Sequence, residues 1–171
     1  MGVQYTIANT TATSTSAPVK QPTGTALRTM LQIATPSTAP SLKVKGWGCS
    51  FDASAAATPG IVEFFGCTGA ATMSTASVAA DIQAKDGLNT VASQNVWIGS
   101  TARTGFATAA VTEGTVANYR QFDYQLIAPT GQYVFYWALG DEPQLGASQF
   151  MRIRVTFGTT VNMACWVVVE E

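Results

Sequence analysis

The chain has 171 residues, 47% of them apolar but only 11% charged, with a net charge of −1 and no histidine. That length supports one domain with a real core, while an ordinary domain carries roughly 25% charged residues. Nine basic residues spread singly from Lys20 to Arg154 leave no stripe to neutralise a run of phosphates, which argues against a nucleic-acid partner. A surface so weakly charged is also a poor guard against self-association, and points to work inside an assembly.

The first residues, MGVQYTIANTTATSTSAP, lack the apolar core of a secretory signal. Gly2 and Thr6 fit a short myristoylation pattern, and Asn9 heads a short glycosylation pattern; both match readily by chance. Residues 1–25 are expected to form an extended, flexible arm, because 8–25 are dominated by Ala, Thr, Ser and Pro. In LRTMLQI, Leu27, Thr29, Leu31 and Ile33 fall on one face of a strand, which stops at the turn cluster TPSTAP. SLKVKGWGCSF follows, with Lys43, Lys45, Trp47, Cys49 and Phe51 sharing a face. The glycines on either side of Trp47 suggest a bend, a bulge or close approach by another backbone. IVEFFGC is apolar on both faces, as in a strand buried on two sides.

From Thr68 to Asn95 the pattern weakens into a long irregular loop. SVAADIQAKDG fits a short helix with Ser77 as N-cap, Lys85 in the last turn and Gly87 as its end, or a surface loop. NVWIGS is expected as a short strand and TARTGFATAAVTEGT as a loop. In YRQFDYQLIAP, Phe122, Tyr124 and Leu126 point one way and Gln121, Asp123 and Gln125 the other. The Pro129-Thr130-Gly131 turn to GQYVFYWALG is a hairpin signal. FMRIRVTF then alternates, with Met151, Ile153, Val155 and Phe157 inward and Arg152 and Arg154 outward. Gly158-Thr159-Thr160 is read as turning it into VNMACWVVVEE, a final hairpin central to the core. Short strands punctuated by Gly and Pro, with no long amphipathic helix, make an antiparallel β-sandwich of jelly-roll or immunoglobulin-like type over residues 26–171.

Chemistry is scarce. Without histidine the usual Ser-His and Cys-His arrangements and the commonest metal ligand are missing, and no phosphate-binding glycine loop occurs. The adjacent acids Asp141-Glu142 and Glu170-Glu171 are poorly disposed as a paired acid and base. Asp81 and Asp86 read as solubilising or turn-capping. Cys49, Cys67 and Cys165, with no CxxC, read as buried thiols, or as one disulfide plus a spare. No apolar run nears the roughly 20 residues of a membrane helix. The sequence therefore predicts no enzyme, no cofactor, no metal and no membrane contact.

Two long stretches carry a resemblance. LQIATPSTAPSLKVKGWGCSFDASAAATPGIVEFF and YWALGDEPQLGASQFMRIRVTFGTTVNMACWVVVEE resemble a family of small proteins of tailed phages of actinobacteria. Its members share LQIATP, a W-G-x-SFD-x-S-AAATP run and a P-x-x-GAS-x-FxRIRVT segment. The likeness runs from about Thr25 and is least specific at the N-terminus and between Thr68 and Asn95. It implies a minor capsid or decoration (cement) protein on the outside of the virion head, made in the bacterial cytoplasm. It also implies a homotrimer bound to the major capsid protein. Expected assembly contacts are Arg152 and Arg154, which share a face, the loop 141–148 with Asp141 and Glu142, and the arm 3–20. The alternative is a minor tail or receptor-binding β-domain that uses Trp97 or Phe106 to stack on host glycans.

Overall fold

Short alternating segments separated by Gly, Pro and Thr build strands, and here they build two antiparallel sheets. The structure, a computed structural model, describes residues 2–13, 15–38, 41–53, 58–86 and 93–171. Its strands, in chain order, are β1 (Gln4–Ala8), β2 (Gln21–Pro22), β3 (Arg28–Ala34), β4 (Leu42–Asp52), β5 (Gly60–Cys67), β6 (Thr75–Ala76), β7 (Ile82–Ala84), β8 (Gly105–Phe106), β9 (Arg120–Ile127), β10 (Gln132–Tyr136), β11 (Gln144–Leu145), β12 (Phe150–Thr156) and β13 (Asn162–Glu170). The first sheet runs β10-β4-β13-β1-β7, with β11 on β4 and β2 on β13; the second runs β6-β8-β3-β12-β5-β9. Their inner faces share one core, in which the Trp47 ring of the first sheet stacks on Phe64 of the second at 5.3 Å. The expected β-sandwich is present.

Neither expected hairpin pairs with itself. β12 lies between β3 and β5 in the second sheet, whereas β13 lies between β4 and β1 in the first. β9 and β10 likewise belong to different sheets. Both turns are corners that carry the chain across the sandwich. Each strand is better satisfied by a long apolar neighbour than by its sequence neighbour. The inward residues of β12, Met151, Ile153 and Val155, and Phe157 just beyond it are buried as expected; each contributes about 1.5–3 kcal/mol.

The expected flexible arm begins as structure. In QYTIA, Tyr5 and Ile7 are buried and β1 pairs on both sides, with β13 and β7. Asn9 then extends the ladder through its side chain: its Nδ2 donates to Met163 O and its Oδ1 accepts from Cys165 N. Only the Thr/Ser/Ala stretch leaves the sheet. Thr10 Oγ1 accepts from Val19 N to close that stretch into a loop, and Asp81 Oδ1 accepts from Ala12 N.

Three bulges reset the alternation, in β4, in β3 and, at Phe122, in β9. Opposite β13, Val168 pairs with Gly46 and Val169 with Val44, so Lys45 is the extra residue. Leu42 and Val44 therefore face the core before it, and Trp47, Cys49 and Phe51 after it. Lys43 and Lys45 do not share a face with Trp47. Opposite β12, Ile153 pairs with Leu31 and Arg154 with Thr29, which makes Met30 the extra residue in β3. Leu27 lies outside the strand, exposed.

The expected helix is absent. Residues 79–81 make one 3-10 turn before β7, and Asp81 Oδ2, not Ser77, caps it by accepting from Val78 N. Gly87 lies outside the described residues. NVWIGS is bent and not a strand, while the loop-like segment after it supplies β8.

Candidate functional site

The residues expected at an assembly contact are mostly spent inside the chain. Arg152 and Arg154 do share a face, but 68–72 and 112–117 fold over its β3 side, joined by the Thr72–Thr112 bridge. Arg152 is wholly buried. It donates from Nη1 to Glu113 O at 2.9 Å and from Nη2 to Gly69 O, lies 3.7 Å from the Glu113 carboxylate, and leaves Nε without a partner. Burial lowers its affinity for the proton. Arg154 forms a fork on Glu63, Nε to Oε2 at 2.9 Å and Nη2 to Oε1 at 3.2 Å, and lies over the Phe65 ring. Both guanidinium groups are engaged within the chain, Arg152 wholly buried and Arg154 partly exposed.

Glu142 is also taken. Its Oε1 accepts from Lys45 Nζ at 2.5 Å and its Oε2 from Gly140 N at 2.7 Å, with Glu170 3.7 Å from the same ammonium. The Lys45 contact, aided by backbone donors, holds the Glu142 carboxyl down at about 2, and the same bond raises Lys45. The β4 bulge turns Lys45 toward this loop. Asp141 alone of the pair faces solvent. Of the two aromatics expected as a stacking platform, Phe106 is core, whereas Trp97 is exposed as expected and carries the Arg103 guanidinium 3.8 Å from its ring centre.

A different aromatic surface is assembled on the outer face of the first sheet. A Cβ on Gly48 would lie 2.6 Å from Trp166 Cζ2, and one on Gly46 would lie 2.5 Å from Tyr136 Cδ1. Each ring therefore lies down on the sheet over a glycine of β4, and the two rings are 6.0 Å apart. The atoms nearest these glycines are side chains of β13 and β10, and of the features expected beside Trp47 the bulge is present, at Lys45. Beside Trp166 a groove of about 650 Å³ runs between the sheet and the 10–20 loop, lined by Thr6, Ala8, Pro18, Val19 and Ala164 among others. Its volume is that of a small-ligand site.

The second surface is the flank where β9 and β10 form the outer edges of their sheets. Asp123 ties this flank together from between the sheets. Its Oδ2 accepts from Trp47 Nε1 at 3.1 Å and Tyr133 Oη at 2.9 Å, and its Oδ1 accepts from Gln125 Nε2 at 3.0 Å. Burial and the Asp123 contact push the Tyr133 hydroxyl up to about 12. Turning Asp123 and Gln125 inward turns Tyr124 and Leu126 out into solvent. Phe122 does not share their face as expected: a bulge in β9 makes it the extra residue, and its ring packs inward on Phe64 at 5.5 Å.

All three cysteines are free and buried, with Cys49 opposite Cys165 across β4 and β13. Burial pushes the Cys49 thiol up to about 12 and raises the other two, the opposite of what a nucleophile needs. Among the described residues no three His, Cys, Asp or Glu side chains gather as metal ligands, and no helix is long and apolar enough to cross a membrane. Compared with protein families, curated proteins and solved structures, the chain matches none.

Proposed function

We propose that the chain is a virion structural protein that decorates the outside of a phage head. In this reading it is made in the bacterial cytoplasm, assembles as a trimer on the major capsid protein and carries out no catalysis. Its sandwich would be of jelly-roll or immunoglobulin-like type. The resemblance in the LQIATP and GAS-x-FxRIRVT segments supplies the role. The observation that carries it is the distribution of side chains: polar and charged groups are paired internally, while edge strands and loops offer apolar side chains to solvent. That is the economy of a protein whose task is contact. Repeated weak contacts on a lattice add through effective concentration.

Adding purified protein to heads that lack it tests this. Saturable co-sedimentation at a fixed ratio to the shell subunit is expected; no sedimentation with heads under any salt condition refutes it.

A second reading, a tail-tip domain for host glycans, is favoured by one observation. Trp166 and Tyr136 lie flat on Gly48 and Gly46 beside a groove, an arrangement that offers π faces to sugar rings. Selective retention on host cell walls, lost in Trp166→Ala, would support it over decoration.

A further inference from the structure

We infer that Cys49 and Cys165 form a redox site, a dithiol that closes into a cross-strand disulfide when the chain folds in oxidising solution. The inference is independent of any role in a virion. The two residues are direct partners across the antiparallel pair β4 and β13. Both side chains enter the same core, Cys49 in the row with Trp47 and Phe51, and Cys165 in the row with Met163 and Val167.

Opposed residues in an antiparallel ladder alternate between two kinds, and the non-hydrogen-bonded kind brings its side chains closer, with Cα atoms about 4.5 Å apart. The backbone of Cys165 points away from β4. Its N–H donates to Asn9 Oδ1 at 2.8 Å, and its carbonyl accepts from Asn9 N at 3.0 Å. The backbone of Cys49 points away from β13, because Phe51, two residues on, donates to Gly131 O at 3.0 Å on the β10 side. Cys49 and Cys165 are therefore a non-hydrogen-bonded pair. A disulfide spans Cα atoms about 4.4–6.8 Å apart, so this pair falls at the short end of the permitted range. A bond closed there is strained, and strained disulfides are the ones that return to thiols in a reducing compartment.

Cys67 does not compete. It lies on β5 in the other sheet, in a separate cluster with Phe65 and Phe150, and its thiol donates to Gly69 O at 3.3 Å. The chemistry is thiol–disulfide exchange with a small disulfide such as oxidised glutathione. One cysteine thiolate attacks a glutathione sulfur, giving a mixed disulfide and releasing one glutathione thiolate. The other cysteine thiolate then attacks the protein sulfur of that mixed disulfide and releases the second. The protein gives up two electrons and two protons, and the glutathione disulfide is reduced to two thiols. In the folded chain both sulfurs are buried and burial keeps them protonated, so the exchange belongs to the open chain, before β13 docks on β4. The closed bond joins two neighbouring strands inside the first sheet and ties off the chain from β5 through β12 as one loop.

The test refolds the reduced, denatured full chain in a mixture of reduced and oxidised glutathione, alkylates the remaining thiols and weighs the intact protein. The product is expected about 2 Da lighter than the reduced chain before alkylation, the loss of two hydrogens. It should take up one alkyl group where the reduced chain, with its three free cysteines, takes three. Its circular dichroism should match that of the chain folded under reducing conditions. Cleavage after Lys, Arg and Glu separates Cys49 from Cys67 at Glu63, and should yield the peptide 46–63 linked to the one that holds Cys165. Cys67→Ala should close the same bridge, and Cys165→Ala should keep both of its thiols. Three free thiols in refolded wild type, a bridge that includes Cys67, or a bridged chain without the circular dichroism of the reduced fold would each overturn the inference.

Discussion

Replacing Asp123 by alanine probes the flank most sharply, because one carboxylate holds three elements. The change leaves Trp47 Nε1, on a residue wholly buried, without its acceptor, and removes one of the two partners of the Tyr133 hydroxyl. An orphaned buried donor costs about 1–3 kcal/mol, and a hydrogen bond to a charged group contributes about 1.5–3. Because Gln125 still reaches Tyr133 at 3.1 Å, the expected loss is about 3 kcal/mol. For a chain of this size that is a fall in Tm of roughly 6–12 °C. Asp123→Asn keeps an acceptor and should lose less than half as much. Urea denaturation of the three proteins gives the comparison. A second readout separates this network from general damage: the Tyr133 hydroxyl, held at about 12 in the intact protein by burial and by Asp123, should titrate lower in Asp123→Ala while burial still keeps it raised, followed by absorbance of the phenolate. A variant within 0.5 kcal/mol of wild type, as a rough threshold for surface substitutions, would refute the assignment of Asp123 as the tie between sheets.

Other expectations follow from the same contacts. Arg152→Ala should cost about 1–3 kcal/mol by leaving the Glu113 and Gly69 carbonyls without their donor, the Glu113 carboxylate keeping Thr29 N and Thr29 Oγ1; Arg154→Ala, at a pair with one side open to solvent, should cost about 1 kcal/mol or less; chemical denaturation measures both. Glu142 titrates at about 2 when folded against the usual 4.5, so its contribution is present above about pH 4.5 and is lost as pH falls toward 2. Glu142→Gln should therefore flatten the stability curve across that window, and an unchanged acid limb would contradict the Lys45 pairing. Gly48→Ala should cost about 1–3 kcal/mol through overpacking against the Trp166 ring. The cost should shrink in a Trp166→Ala background, and an additive double mutant would place the ring elsewhere.

Much of the architecture was legible where apolar period and turn chemistry agree. IVEFFGC reads as a strand buried on both faces and is so from Phe64 to Cys67, with Ile61 and Glu63 half-buried, and the Gly46 and Gly48 pair marks a bulge that exists, at Lys45. Errors arose where local pattern lacks the information. A corner and a hairpin share turn residues, so Gly158-Thr159-Thr160 reveals a reversal but not which sheet receives the next strand. A bulge adds one residue without changing composition, and Lys45 and Met30 shift the faces of β4 and β3 unseen. Burial of Arg152 depends on 68–72 and 112–117 folding over its face, a long-range event that alternation cannot encode. The aromatic platform could have been found by asking what Gly46 and Gly48 make room for. The outward face of β9 could not, because Phe122, Tyr124 and Leu126 share one period in the sequence and only the bulge at Phe122 separates the first, which packs on the core, from the other two.

The most direct test of the decoration reading is the copy number in purified virions, measured by quantitative mass spectrometry against the major shell subunit. The account predicts a ratio approaching that of the shell subunit, as a lattice decoration requires. A handful of copies per particle, or none, would contradict it and shift attention to the Trp166 face.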